Sequence, residues 1–258
     1  MIKLKNLMLV LVLALFSIFA CDWLEKGEQT PTPRLSMFIG VDISGSFINS
    51  EYFDDSLDFL AHYLYCHLNG LDKCEVPNVL FVGSIGGARE GEAKTFYPIQ
   101  MFANKSVEEI HAKLKEIFPK DVINPFTDYN AFFEQIALTV RNRNLLLRPI
   151  SVVMVSDGKP DVKSQGKNNF ESIDLDPLEN LARSVTIRLL YTDAVTSKKW
   201  QTQVPRRRVK IWTQDAKVMV SWKDSSLFTE DQPLEEQQRF FEWINDNVDF
   251  GVRARRVR

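Results

Sequence analysis

Asp42, Ser44 and Ser46, in the run Asp42-Ile43-Ser44-Gly45-Ser46, are the residues best placed by type and spacing to do chemistry. One carboxylate and two hydroxyls stand at alternating positions, and all three are hard oxygen donors. Crowded at a strand end, such a set suits a divalent cation such as Mg2+. Asp157, in Ser156-Asp157-Gly158, likewise follows an apolar run. Other chemistries find less support. His62 and His67 are five positions apart, off the i, i+4 spacing of a helical zinc pair. They read, with His111, as surface or partly packed residues. No G-x-S-x-G elbow is present, and the glycine-rich stretch 83–91 lacks the G-K-[ST] of a phosphate loop.

The elements behind these residues follow from hydrophobic pattern. Residues 35–41 are apolar and free of charge, which reads as a buried strand ending at Asp42. Residues 51–68 carry apolar side chains at helical spacing, and Asn69-Gly70 is a stop signal. Residues 79–82 form a second short strand. Residues 93–102 suggest a third, at an edge because of Pro98. Ser106-Val107-Glu108-Glu109 is a capping-box pattern opening a helix to about residue 118. Thr127-Asp128 opens another, with Phe132, Phe133, Ile136, Ala137 and Val140 on one face. Residues 150–155 are the most hydrophobic strand of the domain and run into Asp157. A polar, irregular stretch over 161–176 follows, then a short helix over 178–183 and a strand over 185–191. Residues 209–222 alternate in pieces and either form an extra hairpin turning at Asp215-Ala216 or join the main sheet. Residues 233–248 suggest a terminal amphipathic helix. Strands alternating with helices predict a doubly wound α/β fold with a mostly parallel central sheet. Such sheets place ligands at the carboxyl ends of their strands, where Asp42 and Asp157 both stand.

Three separated pieces now match one pattern: Asp42, Ser44 and Ser46 after the first strand, Thr127 at a helix start, and Asp157-Gly158 after a later strand. The pattern resembles the von Willebrand factor A (vWA) domain and its metal-ion-dependent adhesion site (MIDAS), D-x-S-x-S with a distant Thr and a distant Asp. The resemblance implies that Ser44 and Ser46 ligate the cation through their hydroxyls. It implies that Asp42, Thr127 and Asp157 do so directly or through water. Mg2+ is the expected ion, with Mn2+ or Ca2+ as alternatives, and a partner protein would complete the shell with an acidic side chain. The alternative is a structural or assembly factor in which the metal only stabilises the loops. The residues also have plainer roles: Ser and Asp are common in turns, and Thr127 is a candidate N-cap. The resemblance points to adhesion rather than catalysis, so the chain is expected not to be an enzyme.

The chain has 258 residues, is 45% hydrophobic and 26% charged, and carries a net charge of −2. These values are ordinary for a soluble globular domain and give no basic footprint for nucleic acid. Its start differs. Lys3 and Lys5 precede an apolar run over 7–20, and Ile18-Phe19-Ala20-Cys21 resembles the bacterial lipobox. The expected layout is a lipoprotein signal peptide over 1–21 with lipidation at Cys21, and a tether over 22–34. A vWA-like domain over 35–250 and a basic tail over 251–258 complete it. A lipid-anchored protein of the bacterial cell envelope, facing the periplasm or the surface, is implied. In that compartment Cys66 and Cys74 are candidates for a disulfide.

Overall fold

The structure, a computed structural model, describes residues 32–249. The expected signal peptide with Cys21, the tether up to residue 31 and the tail over 251–258 lie outside the described residues. Among the described residues no helix is long and apolar enough to cross a membrane.

The chain runs through β1 (Ser36–Val41), the single helical turn α1 (Gly45–Ile48), α2 (Tyr52–Asn69), β2 (Val79–Ser84), β3 (Gly86–Gly87) and β4 (Phe96–Pro98). It continues through α3 (Val107–Ile117), β5 (Phe126–Thr127), α4 (Tyr129–Asn142), β6 (Ile150–Val155), β7 (Asp161–Val162) and β8 (Gly166–Lys167). The last elements are α5 (Asp176–Glu179), β9 (Val185–Thr192), α6 (Ala194–Thr202), β10 (Lys210–Asp215), α7 (Ala216–Met219) and α8 (Gln238–Ile244).

The central sheet has the order β10-β9-β6-β1-β2-β4. All its pairings are parallel except that of β4, which lies antiparallel at the edge, the position that Pro98 tolerates. The expected doubly wound α/β architecture is therefore the one observed. β1 sits inside the sheet because it is apolar on both faces. Met37, Ile39 and Val41 pack in one core layer with Leu57, Leu64 and Ile110. Phe38 packs in the other with Phe132, Ile136, Val152 and Met154. Gly40 faces the second layer, where an added Cβ would lie 2.7 Å from the Phe132 ring, so only hydrogen fits.

β1 is paired with β2 through one crossover and with β6 through another, so the chain reverses its winding between β1 and β6. That is the topological switch point, and the carboxyl ends of these two strands carry Asp42 and Asp157. A second, antiparallel sheet of order β3-β5-β7-β8 includes Thr127 of β5.

Several expectations are corrected. The hairpin over 209–222 does not form: β10 joins the central sheet parallel to β9, and Asp215 caps α7 by accepting from the Lys217 amide. Beyond Asp215 the buried positions are Ala216, Met219 and Trp222, a spacing of three that belongs to a helical turn rather than a strand. The terminal helix over 233–248 is broken into a 3-10 turn (Leu234–Glu236), α8 and a π-helical turn (Asn245–Asp249). The stretch over 161–176 holds β7 and β8, and the helix expected over 178–183 lies earlier, at Asp176–Glu179. α6 has no counterpart in the sequence pattern. Cys66 and Cys74, the expected disulfide, are free and buried thiols in side-chain hydrogen-bond contact.

Candidate metal centre

Asp42 continues the β1 ladder, its amide donating to the Val155 carbonyl at 3.0 Å. Its side chain is fully buried. Oδ1 accepts from the Ser44 amide at 2.8 Å and Oδ2 from the Ser156 hydroxyl at 2.5 Å. The Ser156 oxygen also accepts from the Gly158 amide at 2.9 Å and lies 2.7 Å from the Tyr129 hydroxyl. A hydroxyl has one proton. With that proton committed to the carboxylate, Tyr129 must donate to Ser156. Asp42 is thus fixed by a chain reaching from the buried face of α4.

Burial raises the Asp42 carboxyl to about 6, against the lowering effect of the Ser156 and Ser44 hydrogen bonds, and the neighbouring charge of Asp157 adds to the rise. Hydrogen bonds alone do not repay the loss of hydration, so the ionised form gains from a cation placed beside it.

Ser44 and Ser46 stand where the chain enters α1, and their hydroxyl oxygens share a hydrogen bond at 3.2 Å. The Asn124 amide donates to the Ile43 carbonyl at 3.0 Å, which brings the loop before β5 against this turn. Thr127 is buried and pairs with Gly86 on one side and Asp161 on the other. It does not cap α4. Asp128 does, accepting from the Ala131 amide at 3.0 Å with one oxygen and from the Gly91 amide at 2.8 Å with the other. Capping and site therefore fall to adjacent residues. Ser44, Ser46 and Thr127 line one cleft of about 400 Å³, with Lys159 and Lys167 also on its wall.

Asp157 flanks the site rather than lining that cleft; it lines an adjoining one with Ser46. The turn after it needs glycine: Gly158 has φ +80°, and an added Cβ would lie 2.8 Å from Thr196 Cγ2. The Trp200 indole donates to the Gly158 carbonyl at 2.7 Å and holds the turn down.

All five expected residues thus gather at the switch point, and the donor set of three hydroxyls and two carboxylates fits a hard divalent cation. Three participants lie outside the expected ligand set. Ser156 and Tyr129 orient Asp42. Lys159 places its ammonium 3.5 Å from Asp157 Oδ2 and 3.7 Å from Asp193 Oδ2, a cation already beside one expected ligand. Ser156 was legible as part of Ser-Asp-Gly, whereas nothing in the sequence pattern marked Lys159.

No family model matches the chain, and no curated protein matches it. Solved structures do. The chain is similar to proximal thread matrix protein 1 from the mussel byssus with a zinc-occupied MIDAS motif, at 12% identity and a TM-score of 0.41, over 82% of this chain and 46% of that one. It is similar to the SpRpn10 VWA domain at 14% identity and a TM-score of 0.40, over 85% and 98% of the two chains. It is also similar to the manganese-loaded TRAP protein of Plasmodium vivax at 13% identity and a TM-score of 0.41, over 74% and 72%. The chain spans less than half of the mussel protein, 44% and 46% of its length in two crystal forms. The structures it is similar to thus include a VWA domain and a protein with metal in a MIDAS motif.

Proposed function

We propose that this chain is a binding module that captures a protein partner through a divalent cation, Mg2+ in the first instance, held by Ser44, Ser46, Thr127, Asp42 and Asp157. The observation that carries the proposal is the gathering of three hydroxyls on one cleft, with a buried carboxylate of raised pKa behind them. When bound, the cation supplies a Lewis-acidic position that accepts a carboxylate oxygen from the partner. Ser44, Ser46 and Thr127 are neutral donors, so only Asp42 and Asp157 offset the charge of the dication and a partner carboxylate is not met by a surplus of negative charge. The two lysines on the cleft favour an acidic partner in the same direction. Lipid anchoring at Cys21 in the bacterial cell envelope belongs to the same proposal, as does a binding rather than catalytic role. A turnover screen with ester and phosphate substrates tests the latter.

A second reading has its own support. The Tyr129–Ser156–Asp42–Ser44 chain is satisfied within the protein, as in a site that only stabilises loops of an envelope assembly factor. Crosslinking pull-down from native envelopes, with and without chelator, separates the two. Capture lost on chelation and in Asp42→Ala, with the domain still folded, supports the binding module. Capture that survives both, with a lowered melting temperature, would replace it by the structural reading.

A further inference from the structure

Away from this cleft, α2 and the loop after it meet the C-terminal turn in a cluster with different chemistry. One ligand atom each from His67, Cys74 and Asp249 lies within 4.8 Å of the others. Cys66, the residue before His67, has its thiol in hydrogen-bond contact with Cys74. We propose that His67 Nε2, Cys74 Sγ and Asp249 Oδ2 form a three-donor site for a thiophilic divalent cation such as Zn2+, with the Cys66 thiol hydrogen-bonded to the ligating sulfur.

The surroundings are organised as such a site requires. His67 Nδ1 lies 2.9 Å from the Glu75 carbonyl, an acceptor, so Nδ1 carries the proton. This fixes the ring and directs Nε2 toward Asp249 Oδ2, 2.9 Å away. A ring proton donated to a backbone carbonyl is the usual support of a metal-binding histidine. The other Asp249 oxygen, Oδ1, accepts from the Tyr63 hydroxyl at 2.7 Å and lies 3.6 Å from Arg188 Nε. Each of the three donors is therefore held by a second group: Glu75 for His67, Tyr63 for Asp249 and Cys66 for Cys74. One thiolate, one imidazole and one carboxylate are a donor set that selects zinc over magnesium.

One thiolate and one carboxylate neutralise a dication, and the Arg188 guanidinium, 3.6 Å from the other Asp249 oxygen, stands beside the site as one further positive charge. Metal entry would displace the Nε2 proton and the Cys74 proton. A cavity of about 220 Å³ is lined by His67, Arg188 and Asp249 and so reaches two of the three donors. The site would tie α2 and its loop to residue 249, contacts far apart in sequence, where a metal clip stabilises most.

The test uses the reduced full chain and Co2+ as a spectroscopic probe. Co2+ is expected to give thiolate-to-cobalt charge-transfer absorption, and Zn2+ to bleach it. Cys74→Ser should abolish the band and Asp249→Asn should weaken Co2+ binding at least about tenfold, while Cys21→Ser and Asp42→Asn leave the band unchanged. X-ray absorption of the zinc-loaded chain covers the case in which a variant misfolds, and should find a sulfur scatterer at about 2.3 Å. Absence of the band, its persistence in Cys74→Ser, or a shell of nitrogen and oxygen alone would overturn the proposal. So would a Cys66–Cys74 disulfide in the protein as isolated.

Discussion

Replacing Asp42 by asparagine separates a ligand from a structural group, because the two roles predict opposite signs. The Asp42 carboxyl is raised from 3.8 to about 6 by burial. At about 1.36 kcal/mol per pH unit, ionisation is then about 3 kcal/mol less favourable in the metal-free fold than in the unfolded chain. The sign follows. A carboxyl with a raised folded value contributes stability fully present below 3.8 and lost as pH rises through about 6. Asp42→Asn removes that penalty at pH 8 but turns an amide N–H2 or a mismatched oxygen toward Ser156, at a cost of about 1–3 kcal/mol. In chelator at pH 8 the variant should be unchanged or up to about 2 kcal/mol more stable; below about pH 4 it should be less stable. Cation reverses the comparison. At a hundredfold excess over Kd the wild type gains about 2.7 kcal/mol. For a domain of this size that is roughly 5–11 °C in Tm, and the variant should gain nothing. Urea and thermal melts in chelator and in Mg2+ or Mn2+ measure all four states. Equal cation shifts in both proteins, or a variant more than about 3 kcal/mol less stable in chelator at pH 8, would refute the reasoning.

Three further outcomes are expected. Gly158→Ala should lose about 2–4 kcal/mol in urea melts and weaken cation binding, because it places a Cβ at φ +80° against Thr196. Lys159→Met should raise cation affinity about twofold to fivefold by calorimetry, since the ammonium beside Asp157 is exposed and its repulsion screened. His62 is lowered by burial between Trp222, Phe228 and Phe240, and it also faces Asp58, Lys223, Glu108 and His111. Its lowered value makes stability fall as pH drops below 6.5, by at most about 1.4 kcal/mol per pH unit. His62→Gln should flatten that part of the urea-midpoint profile.

The fold was legible where one physical signal dominated. Residues 150–155 are apolar at nearly every position, which suits a strand covered on both faces, and β6 is that strand. Ser106 with Glu109 announced α3, and both reciprocal hydrogen bonds of the capping box are present. Legibility failed where patterns compete. Ala216, Met219 and Trp222 recur every third residue, while Val218, Val220 and Trp222 recur every second. The same stretch supports both readings until Asp215 is seen to cap α7. α6 was invisible because it buries Trp200 and Thr196 but few other side chains, too sparse a stripe for a periodic signal.

The site was legible for the opposite reason: its residues are named by type rather than by pattern. Oxygen donors at the ends of two apolar runs suit a cation, a reading that needs no knowledge of contacts. The groups that set its properties are different. Ser156 fixes Asp42, Tyr129 fixes Ser156, and Lys159 reaches Asp157 from two residues away. Each acts through a distance that packing decides, so a serine, a tyrosine or a lysine elsewhere in the chain looks the same in sequence. Lys159 is the sharpest case. Under the proposed function its charge would oppose a cation at Asp157 and favour an acidic partner at the same cleft, so one residue would set the two affinities in opposite directions. A Lys159→Met protein that binds cation more tightly should therefore capture an acidic partner more weakly at saturating cation. Equal or stronger capture in a pull-down at saturating Mg2+ would remove the lysine from partner recognition and leave it a competitor for the metal alone.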